Sequence, residues 1–398
     1  MSAPSEARSR SRARLRLRLS VAGLAASAAL AALVQPTQAA GPPPSPDKGL
    51  QKQLNDLVRT AGGPPGVIAL LRQGDRTAVY RAGVADTSTG RPPRITDHMR
   101  IASVAKAFSG AVALRLVDRN KLHLDDTIGK LLPSLPADWH QVTLRQLLNH
   151  TSGLPDFTTA PAFLAILQED PRHHFDSRRL LDFVADKDLV FPPGSEYAYS
   201  NSDNIAVALM AEAATGRPYE RLLDKLVYRP LDLRQTSLPQ GFRLPRPYLH
   251  GYDVTLPAPP EDISEVLSAS GVWASGGIVS TPKDLNAFVR AWAGGRDFLS
   301  KETRRAQRTF IPGAASEPAG PGANAGGLAI FRYTTRCGTV YGHTGNFPGY
   351  TQLAVGTADG KRSLTFSITT QTSKTLKPEL LAKVRAVQED FVCALLRH

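Results

Sequence analysis

Several features that would indicate other classes of protein are missing from this sequence. After residue 40 no apolar run is long enough to cross a bilayer, so no stable membrane span is expected once residues 1–40 are removed. No basic and aromatic stripe and no nucleic-acid-binding motif occurs, which argues against a nucleic acid as partner. The adjacent His173 and His174 lack metal-ligand spacing. This pair of histidines is therefore not expected to hold a metal.

The composition is that of an ordinary globular protein. The length of 398 residues suits one large domain or two smaller ones, with 42% hydrophobic and 21% charged residues. The formal net charge is +13, but residues 1–39 contribute six arginines and one acid, so the remainder carries +8. That moderate excess could favour an anionic surface such as a cell wall.

Residues 1–40 have the pattern of a secretory signal peptide. Alternating arginines precede the apolar run LSVAGLAASAALAALV, and QPTQAA supplies small residues for cleavage. The apolar run has 16 residues, which is short for a membrane span, although an N-terminal anchor is the alternative. No cysteine lies near the cut, which argues against a lipoprotein. We therefore expect a secreted chain in which residues 41–47 form a Pro-rich linker.

The chain has two cysteines, Cys337 and Cys393. In an exported protein an even pair suggests a disulfide, here one that ties the last helix to a strand. Two buried free thiols are the alternative.

The order of elements predicts an α+β fold with an antiparallel sheet, flanked by N- and C-terminal helices, and a separate all-α lobe. PGVIALLRQG and RTAVYRAGVAD read as paired strands near the start. After the Gly/Pro/Ala-rich loop IPGAASEPAGPGANAGG, strands that begin with GGLAIFRYT and a last helix over about 377–396 close the chain. We assign an α/β lobe to 48–112 and 265–398 and a helical lobe to 113–264. A site is expected in the cleft between these lobes.

The motif S-x-x-K, which can pair a nucleophile with a base, occurs at Ser45/Lys48, Ser103/Lys106 and Ser280/Lys283. The first lies in the Pro-rich linker, and the third precedes a helix start at which Thr281 reads as an N-cap. Ser103 follows the short extended run MRIA and precedes AFSGAVALRLV, which is apolar at helical spacing. Because residues i and i+3 share one face of a helix, Lys106 could reach the Ser103 hydroxyl.

A serine hydroxyl needs a base, and two later segments offer partners for it. Tyr199 and Asn201 form the chain's one Y-x-N, in which the phenol could relay a proton and the amide could bind a carbonyl or the lysine. The alternative is a packed loop tyrosine beside a turn-forming asparagine. The strand end His343-Thr344-Gly345 could pair with a peptide-like substrate, although a surface strand end with a capping threonine is the alternative.

Taken in order, these three motifs resemble those of the serine β-lactamase and penicillin-binding DD-peptidase superfamily, in particular the class C β-lactamase branch. TLRQLLNHTSGLPDF, FPPGSEYAYSNSDNIAVAL and SGGIVSTPKDL are also similar to family signatures, and the resemblance covers nearly all the chain after the linker. It implies the β-lactamase/transpeptidase-like fold and acyl transfer through a serine acyl-enzyme, a reaction that needs no metal or other cofactor.

The resemblance also implies roles for individual residues. Ser103 would be the acylated nucleophile, and Lys106 and Tyr199 would share the proton transfers. Asn201 would position the substrate. His343, the fourth catalytic candidate, could keep Tyr199 polarised and stands where class C β-lactamases usually carry a lysine. The backbone N–H groups of Ser103 and Asn346 would form the oxyanion hole.

Within the superfamily the segment CGTVYGHTGNFPGYTQLAVGTADGKRSLT is most similar to secreted D-alanyl-D-alanine carboxypeptidases, and a Cys337–Cys393 pair fits that branch. Thr344, Gly345 and Asn346 would then contact the substrate. Two departures put carboxylate binding in doubt. Asn346 replaces a second threonine, and Arg332 is one residue away from the expected arginine position, where alternation along a strand would turn it to the other face.

The sequence therefore favours a secreted, penicillin-binding D-alanyl-D-alanine carboxypeptidase. The expected substrate is a small peptide or a β-lactam-like compound, with cell-wall peptidoglycan as a candidate, and a monomer is expected. An esterase and a class C-like β-lactamase on the same site are alternatives. A catalytically silent penicillin-binding module is a fourth possibility, but neither nucleophile nor base has been lost.

Overall fold

The computed structural model describes residues 47–294 and 297–397. The predicted signal, residues 1–40, and residues 41–46 of the predicted linker lie outside the described residues. The linker's last residue, Asp47, is the N-cap of the first helix, and its carboxylate accepts hydrogen bonds from the backbone of Gly49 and Leu50. Within the described ranges no helix is both long and apolar enough to cross a membrane.

Within the described ranges the α-helices, numbered along the chain, are α1 (Lys48–Arg59), α2 (Ala105–Val117), α3 (Ile128–Leu131), α4 (Leu144–Leu148), α5 (Pro161–Glu169), α6 (Asn201–Thr215), α7 (Tyr219–Leu223), α8 (Trp273–Gly276), α9 (Pro282–Gly294), α10 (Lys301–Gln307) and α11 (Pro378–Leu396). Shorter 3₁₀ and π turns join them, at Ala102–Val104, Ala137–Trp139, Phe157–Thr159, Ser177–Val184, Asp224–Tyr228 and Ala269–Gly271.

The strands are β1 (Gly66–Gln73), β2 (Arg76–Gly83), β3 (Met99–Arg100), β4 (Tyr252–Asp253), β5 (Glu261–Asp262), β6 (Val279–Ser280), β7 (Ile311–Pro312), β8 (Ala323–Gly326), β9 (Phe331–Thr335), β10 (Gly338–Phe347), β11 (Tyr350–Gly356) and β12 (Arg362–Ile368). Eight of them form one antiparallel sheet in the order β2-β1-β12-β11-β10-β9-β8-β7. The first and last strands of the chain, β1 and β12, are neighbours in it, which confirms the predicted α+β fold.

Helices cover both faces of this sheet. On one face α1 and α11 bury an apolar layer that includes Leu54, Val384 and Phe391. On the other face lies α9, which contacts β10, β11 and β12, and its Phe288 ring stacks on Phe108 of α2 with centroids 3.6 Å apart. The helices of the middle segment pack around α2 and α6, and the turn Ala102–Val104 before α2 contacts β10 and β11 of the sheet. A residue at the start of α2 is therefore close to both.

One predicted strand is interrupted in the structure. GGLAIFRYT was expected to form a single strand, but β8 ends at Gly326 and β9 begins at Phe331. Between them Ala329 has φ 52°, a left-handed conformation that breaks the extended chain. The preceding Gly/Pro/Ala-rich segment, expected to be a loop, contributes β7 at the sheet edge, where the missing N–H of Pro312 is tolerated.

The predicted disulfide between Cys337 and Cys393 is present in the structure. Cys337 lies in the β9–β10 turn and Cys393 in the last turns of α11, so the bridge fastens the terminal helix to the strand that carries His343.

Candidate active site

Ser103 lies at a sharp turn between a strand and a helix. The short pair of β3 with β6 leads into the 3₁₀ turn Ala102–Val104, and α2 begins one residue later. Ala102 has φ 51°, and the left-handed region costs an alanine about 1 kcal/mol or more. The turn thus holds a small strain immediately before Ser103, which lines a cavity.

Arg100 fastens the strand before this turn. Its buried guanidinium donates hydrogen bonds to the backbone carbonyls of Phe242, Ser264 and Leu267, at 2.7, 3.2 and 2.9 Å. These carbonyls belong to a segment that has little regular structure, so one side chain fixes the segment and the Ser103 turn to each other.

Gly345 allows strand β10 to approach the Ser103 turn closely. A Cβ atom at this position would lie 2.4 Å from the Ile101 carbonyl oxygen and 3.2 Å from the Ser103 nitrogen. Any side chain would push the strand away from the turn. The glycine of the His343-Thr344-Gly345 motif therefore sets the distance between Ser103 and the strand.

Lys106 is buried beneath Ser103 and makes three hydrogen bonds. Its ammonium donates to Ser103 Oγ at 3.2 Å, to Asn201 Oδ1 at 2.7 Å and to the Ser275 carbonyl at 2.8 Å. All three donor positions of the group are thus used, and the side chain is held in one orientation.

Burial lowers the pKa of Lys106 from its ordinary value of 10.5 to about 7. The carboxyl groups of Asp156 and Asp203 act in the opposite direction and limit the shift. Near neutral pH a large part of Lys106 is therefore neutral and able to accept a proton from Ser103.

Tyr199 lies against this lysine with its hydroxyl at the cavity. The Lys106 nitrogen is 4.9 Å from the centroid of the Tyr199 ring. The hydroxyl is buried and has no hydrogen-bond partner among the described residues. Burial raises the pKa of Tyr199 well above its ordinary value of 10, so at neutral pH the group is a phenol that can pass on a proton rather than a phenolate.

The Tyr199 ring packs against a buried, hydrogen-bonded pair, His150 and Asp203. His150 Nδ1 lies 2.7 Å from Asp203 Oδ2, and its ring centroid lies 4.6 Å from that of Tyr199. Ser152 donates a hydrogen bond to the other Asp203 oxygen at 2.5 Å. Burial, with the nearby positive charge of Lys106, lowers the pKa of His150 to about 3, so this histidine adds no cation to the site.

Asn201 is oriented by Asp156. The Asn201 backbone N–H and side-chain Nδ2 both donate to Asp156 Oδ2, at 3.1 and 2.8 Å. The other Asp156 oxygen accepts from the backbone and hydroxyl of Thr158. Because Nδ2 is committed to Asp156, Oδ1 of Asn201 is left to face Lys106.

The end of β10 passes the cavity with one side unpaired. β9 pairs with β10 only over Gly338–Gly342, and beyond that point β11 is its one partner among the described strands. His343 is buried there, edge-on to Phe331, and its Nε2 has no partner in the described part of the chain. Burial lowers the pKa of His343 to about 3, so this residue is neutral where a class C β-lactamase would carry a lysine.

The side chains of Thr344 and Asn346 are both engaged with the protein itself. The Thr344 hydroxyl lies 2.6 Å from the Pro318 carbonyl and 2.8 Å from Ser316 Oγ. Asn346 Oδ1 accepts a hydrogen bond from the Thr351 hydroxyl at 3.0 Å. Asn346 lines the cavity, whereas Thr344 does not.

Arg332, a candidate for binding a substrate carboxylate, lies outside this cluster. Its guanidinium sits 5.0 Å from the centroid of the Phe310 ring, and Arg332 is not among the residues that line the cavity. The neighbouring Phe331 instead points toward His343. A register shift of one residue has this effect, since successive side chains of a strand point to opposite faces.

The cavity above Ser103 has a volume of about 620 Å³. One wall is apolar and consists of Phe163, Leu164 and Leu167 on α5 together with Leu267, Val272 and Phe347. The only charged side chains among its described lining residues are those of Asp156 and Glu317.

Comparisons with known proteins agree with this geometry. The family model named Beta-lactamase matches residues 47–389. The chain belongs to this family.

Three similar proteins illustrate the range of the family. Penicillin-binding protein 4* of Bacillus subtilis is 26% identical over 79% of this chain and 71% of its own length. The solved structure of a D-stereospecific amidohydrolase from Streptomyces sp. is 30% identical, with a TM-score of 0.73 over 85% of this chain and 98% of that one. D-amino acid amidase from Ochrobactrum anthropi SV3, solved with L-phenylalanine amide, is 26% identical, with a TM-score of 0.75 over 87% and 98%.

The chain is thus a serine hydrolase of the β-lactamase and penicillin-binding protein family with the β-lactamase/transpeptidase fold. In the structure Ser103, Tyr199 and Asn201 line one cavity, and Lys106 is hydrogen-bonded to Ser103 and Asn201 beneath it.

Sequence reasoning missed three acidic residues that matter to the geometry of this site. Asp203 could have been noticed, because it lies two residues after Asn201 and falls in the first turn of α6. Asp156 lies inside the quoted segment TLRQLLNHTSGLPDF. Glu317 lies in a Gly/Pro/Ala-rich segment and gave no comparable signal.

Proposed function

We propose that this hydrolase cleaves the amide bond of a D-amino acid residue whose α-amino group is free, through a Ser103 acyl-enzyme. The observation that carries the proposal is the charge of the cavity. Asp156 and Glu317 are the charged side chains among its described lining residues, and both are acidic.

A cavity lined by acids favours an ammonium group over a carboxylate. A D-aminopeptidase or amidase substrate brings a positive α-ammonium to the acyl side of the scissile bond. A D-alanyl-D-alanine carboxypeptidase substrate brings a negative carboxylate on the leaving side, and that group needs a cation or several donors. Preference for the D configuration is supported by the likeness to the D-stereospecific amidohydrolase and to the D-amino acid amidase.

Two of the groups expected to hold a carboxylate are committed elsewhere. Arg332 lies over Phe310, and the Thr344 hydroxyl bonds to the loop at Ser316 and Pro318. Asn346 accepts from Thr351 through Oδ1 and keeps its Nδ2 donor, so it is the one neutral donor left for a carboxylate among these three residues. The carboxypeptidase activity favoured by sequence is thus less well supported than hydrolysis of the amide of a D-amino acid with a free α-amino group.

In the proposed acylation step, neutral Lys106 takes the proton of Ser103 Oγ while the oxygen attacks the substrate carbonyl carbon. The negative charge that develops on the carbonyl oxygen is stabilised by the backbone N–H groups of Ser103 and Asn346, a contribution of about 3 kcal/mol per donor. The carbon–nitrogen bond then breaks. Tyr199 gives its proton to the leaving nitrogen and regains one from Lys106.

In deacylation a water molecule attacks the ester carbonyl, with its proton taken by the same Lys106–Tyr199 pair, and Ser103 Oγ is the leaving group. Asn201 holds Lys106 in place during both steps through the 2.7 Å hydrogen bond. We also propose that the protein acts outside the cytoplasm, a location supported by the predicted signal and by the disulfide.

A substrate comparison tests this function. The chain is assayed against D-phenylalanine amide, L-phenylalanine amide, a diacyl-Lys-D-Ala-D-Ala peptide and a short p-nitrophenyl ester. We expect kcat/KM for the D-amide to exceed that for the L-amide and for release of D-Ala from the peptide.

The other results are equally informative. Faster release of D-Ala than hydrolysis of the D-amide would replace the proposal with a carboxypeptidase. Cleavage of the ester without cleavage of any amide would indicate an esterase.

A further inference from the structure

We propose that Glu317 is the counter-ion of the substrate's α-ammonium group and that Thr344 positions Glu317 through hydrogen bonds to its two sequence neighbours. This inference rests on the proposed function and names the residues that make the site selective for a free amine.

Glu317 is the acid with free hydrogen-bonding capacity in the cavity. It is exposed, lines the cavity and forms neither an ion pair nor a side-chain hydrogen bond with any described residue. Asp156, by contrast, already accepts two hydrogen bonds from Asn201 and two from Thr158. An incoming ammonium group, which must find acceptors for its donors, therefore meets available lone pairs at Glu317.

Both sequence neighbours of Glu317 are held by strand β10, one through its side chain and one through its backbone carbonyl. Thr344 lies within hydrogen-bond distance of Ser316 Oγ, at 2.8 Å, and of the Pro318 carbonyl, at 2.6 Å. Ser316 and Pro318 are the two neighbours of Glu317 in the sequence. An exposed carboxylate is thus carried on a backbone whose position is fixed relative to β10.

Two tyrosines add further anchors to the same segment. The Tyr197 hydroxyl donates to the Ala315 carbonyl at 2.6 Å, and the Tyr333 hydroxyl lies 2.9 Å from Ser316 Oγ. Tyr197 is two residues before Tyr199, so the segment is tied both to the catalytic strand and to the chain that carries the catalytic tyrosine. An anchored segment reduces the backbone entropy that would otherwise be lost when Glu317 binds a cation.

Thr344 is therefore a positioning residue rather than a group that touches substrate. Its hydroxyl is used by the Glu317 segment, and its side chain does not line the cavity. Removal of this hydroxyl should affect selectivity for the amine as well as the rate.

The test compares a free and a blocked amine on one acyl group. We measure kcat/KM for D-leucine p-nitroanilide and for N-acetyl-D-leucine p-nitroanilide and take their ratio. In Glu317→Gln this ratio should fall about tenfold, mainly through a higher KM for the free amine, because one charge-assisted hydrogen bond is lost from a partly solvated site. Glu317→Lys should lower the ratio further. Glu261→Gln is the matched control, since Glu261 is exposed and does not line the cavity.

Variants of Thr344 test the positioning role. Thr344→Val, which loses the hydroxyl, should lower the same ratio severalfold, whereas Thr344→Ser should keep it. Because Thr344→Val could also impair folding, the retained ratio in Thr344→Ser and the loss in Glu317→Gln carry the test independently.

The outcomes separate this inference from the proposed function. A wild-type preference for the free amine that persists unchanged in Glu317→Gln would overturn the role of Glu317 and leave the function standing. A wild-type enzyme that cleaves neither anilide, or prefers the acetylated one, would contradict the proposed function itself.

Discussion

The floor and the rim of the cavity are built in different ways. The floor consists of Ser103, Lys106, Tyr199 and Asn201, and its lysine is buried and makes three hydrogen bonds. The rim consists of α5 and Glu317, and it presents an exposed carboxylate and the half-exposed Leu164.

Burial explains why the floor can perform chemistry that the rim cannot. Removal of Lys106 from water lowers its pKa to about 7, whereas a solvated lysine would stay charged and could not take a proton. Groups on the rim remain partly in water, where charges are screened and each contact contributes little. The floor therefore determines the reaction, and the rim selects among substrates by modest differences in affinity.

The largest effect is expected from Ser103→Ala, which removes the nucleophile of the floor. Turnover of every amide, ester or penicillin substrate should fall by a factor of about 10⁴ or more, because loss of the nucleophile cannot be compensated by the rest of the site. The measurement is the steady-state rate together with covalent labelling by a fluorescent penicillin.

The chain offers a matched control for this variant. Ser280 belongs to another S-x-x-K and is buried, with its hydroxyl 2.8 Å from that of Thr236, but it does not line the cavity. Ser280→Ala should keep its activity. Turnover in Ser103→Ala within tenfold of wild type would refute the assignment of the floor.

The second effect concerns the pH dependence set by Lys106. Since the neutral lysine is the base, kcat/KM should fall as the pH drops below about 7. Asp156 raises the pKa of Lys106, so Asp156→Asn should lower that pKa and move the acid limb of the profile to lower pH. The profile is measured with an N-acetylated substrate, which has no titrating amine.

The rim provides the control for this pH shift. Glu317→Gln should leave the acid limb where it is, because Glu317 does not contribute to the shift at Lys106. An equal displacement in both variants would mean that floor and rim are not electrostatically distinct.

The contrast between floor and rim also explains what could be predicted from sequence. Ser103/Lys106 and Tyr199/Asn201 are short motifs whose internal spacing can be seen in the sequence, and the resemblance to the β-lactamase superfamily implied that the two motifs meet. Glu317 owes its place to hydrogen bonds from distant residues such as Thr344, and its segment has no periodicity. No local pattern encodes such contacts.

The same reasoning applies to the fold. The antiparallel sheet and its terminal helices follow from hydrophobic periodicity. The interruption between β8 and β9 depends on the left-handed backbone of Ala329, whose N–H donates to the Leu148 carbonyl at 2.7 Å. That bond joins residues far apart in sequence. The doubt about Arg332, by contrast, could be raised from sequence, because alternation along a strand is a local rule.

The third prediction separates stability from the chemistry of the floor. Replacement of both Cys337 and Cys393 by serine should lower the free energy of unfolding by about 3–4 kcal/mol, since the bridge closes a long loop in the unfolded chain. Urea unfolding measures this loss. The acid limb of the kcat/KM profile should not move, because the bridge lies in the β9–β10 turn rather than at the floor.

Thiol titration accompanies this experiment. The native, non-reduced protein should contain no free thiol, and two thiols per chain would contradict the bridge. A shift of the acid limb in the serine variant would show that the floor depends on the fastening of α11.

The smallest effect is expected at the apolar part of the rim. Leu164 lies on α5, lines the cavity and is 41% exposed, so Leu164→Ala should cost little stability. If this wall receives the side chain of the D-residue, kcat/KM for D-leucine amide should fall about fivefold, while that for D-alanine amide should hardly change. Leu256→Ala is the control, since Leu256 is 60% exposed and does not line the cavity. Equal losses for both amides would place the apolar side chain elsewhere, and the rim would then select by charge alone.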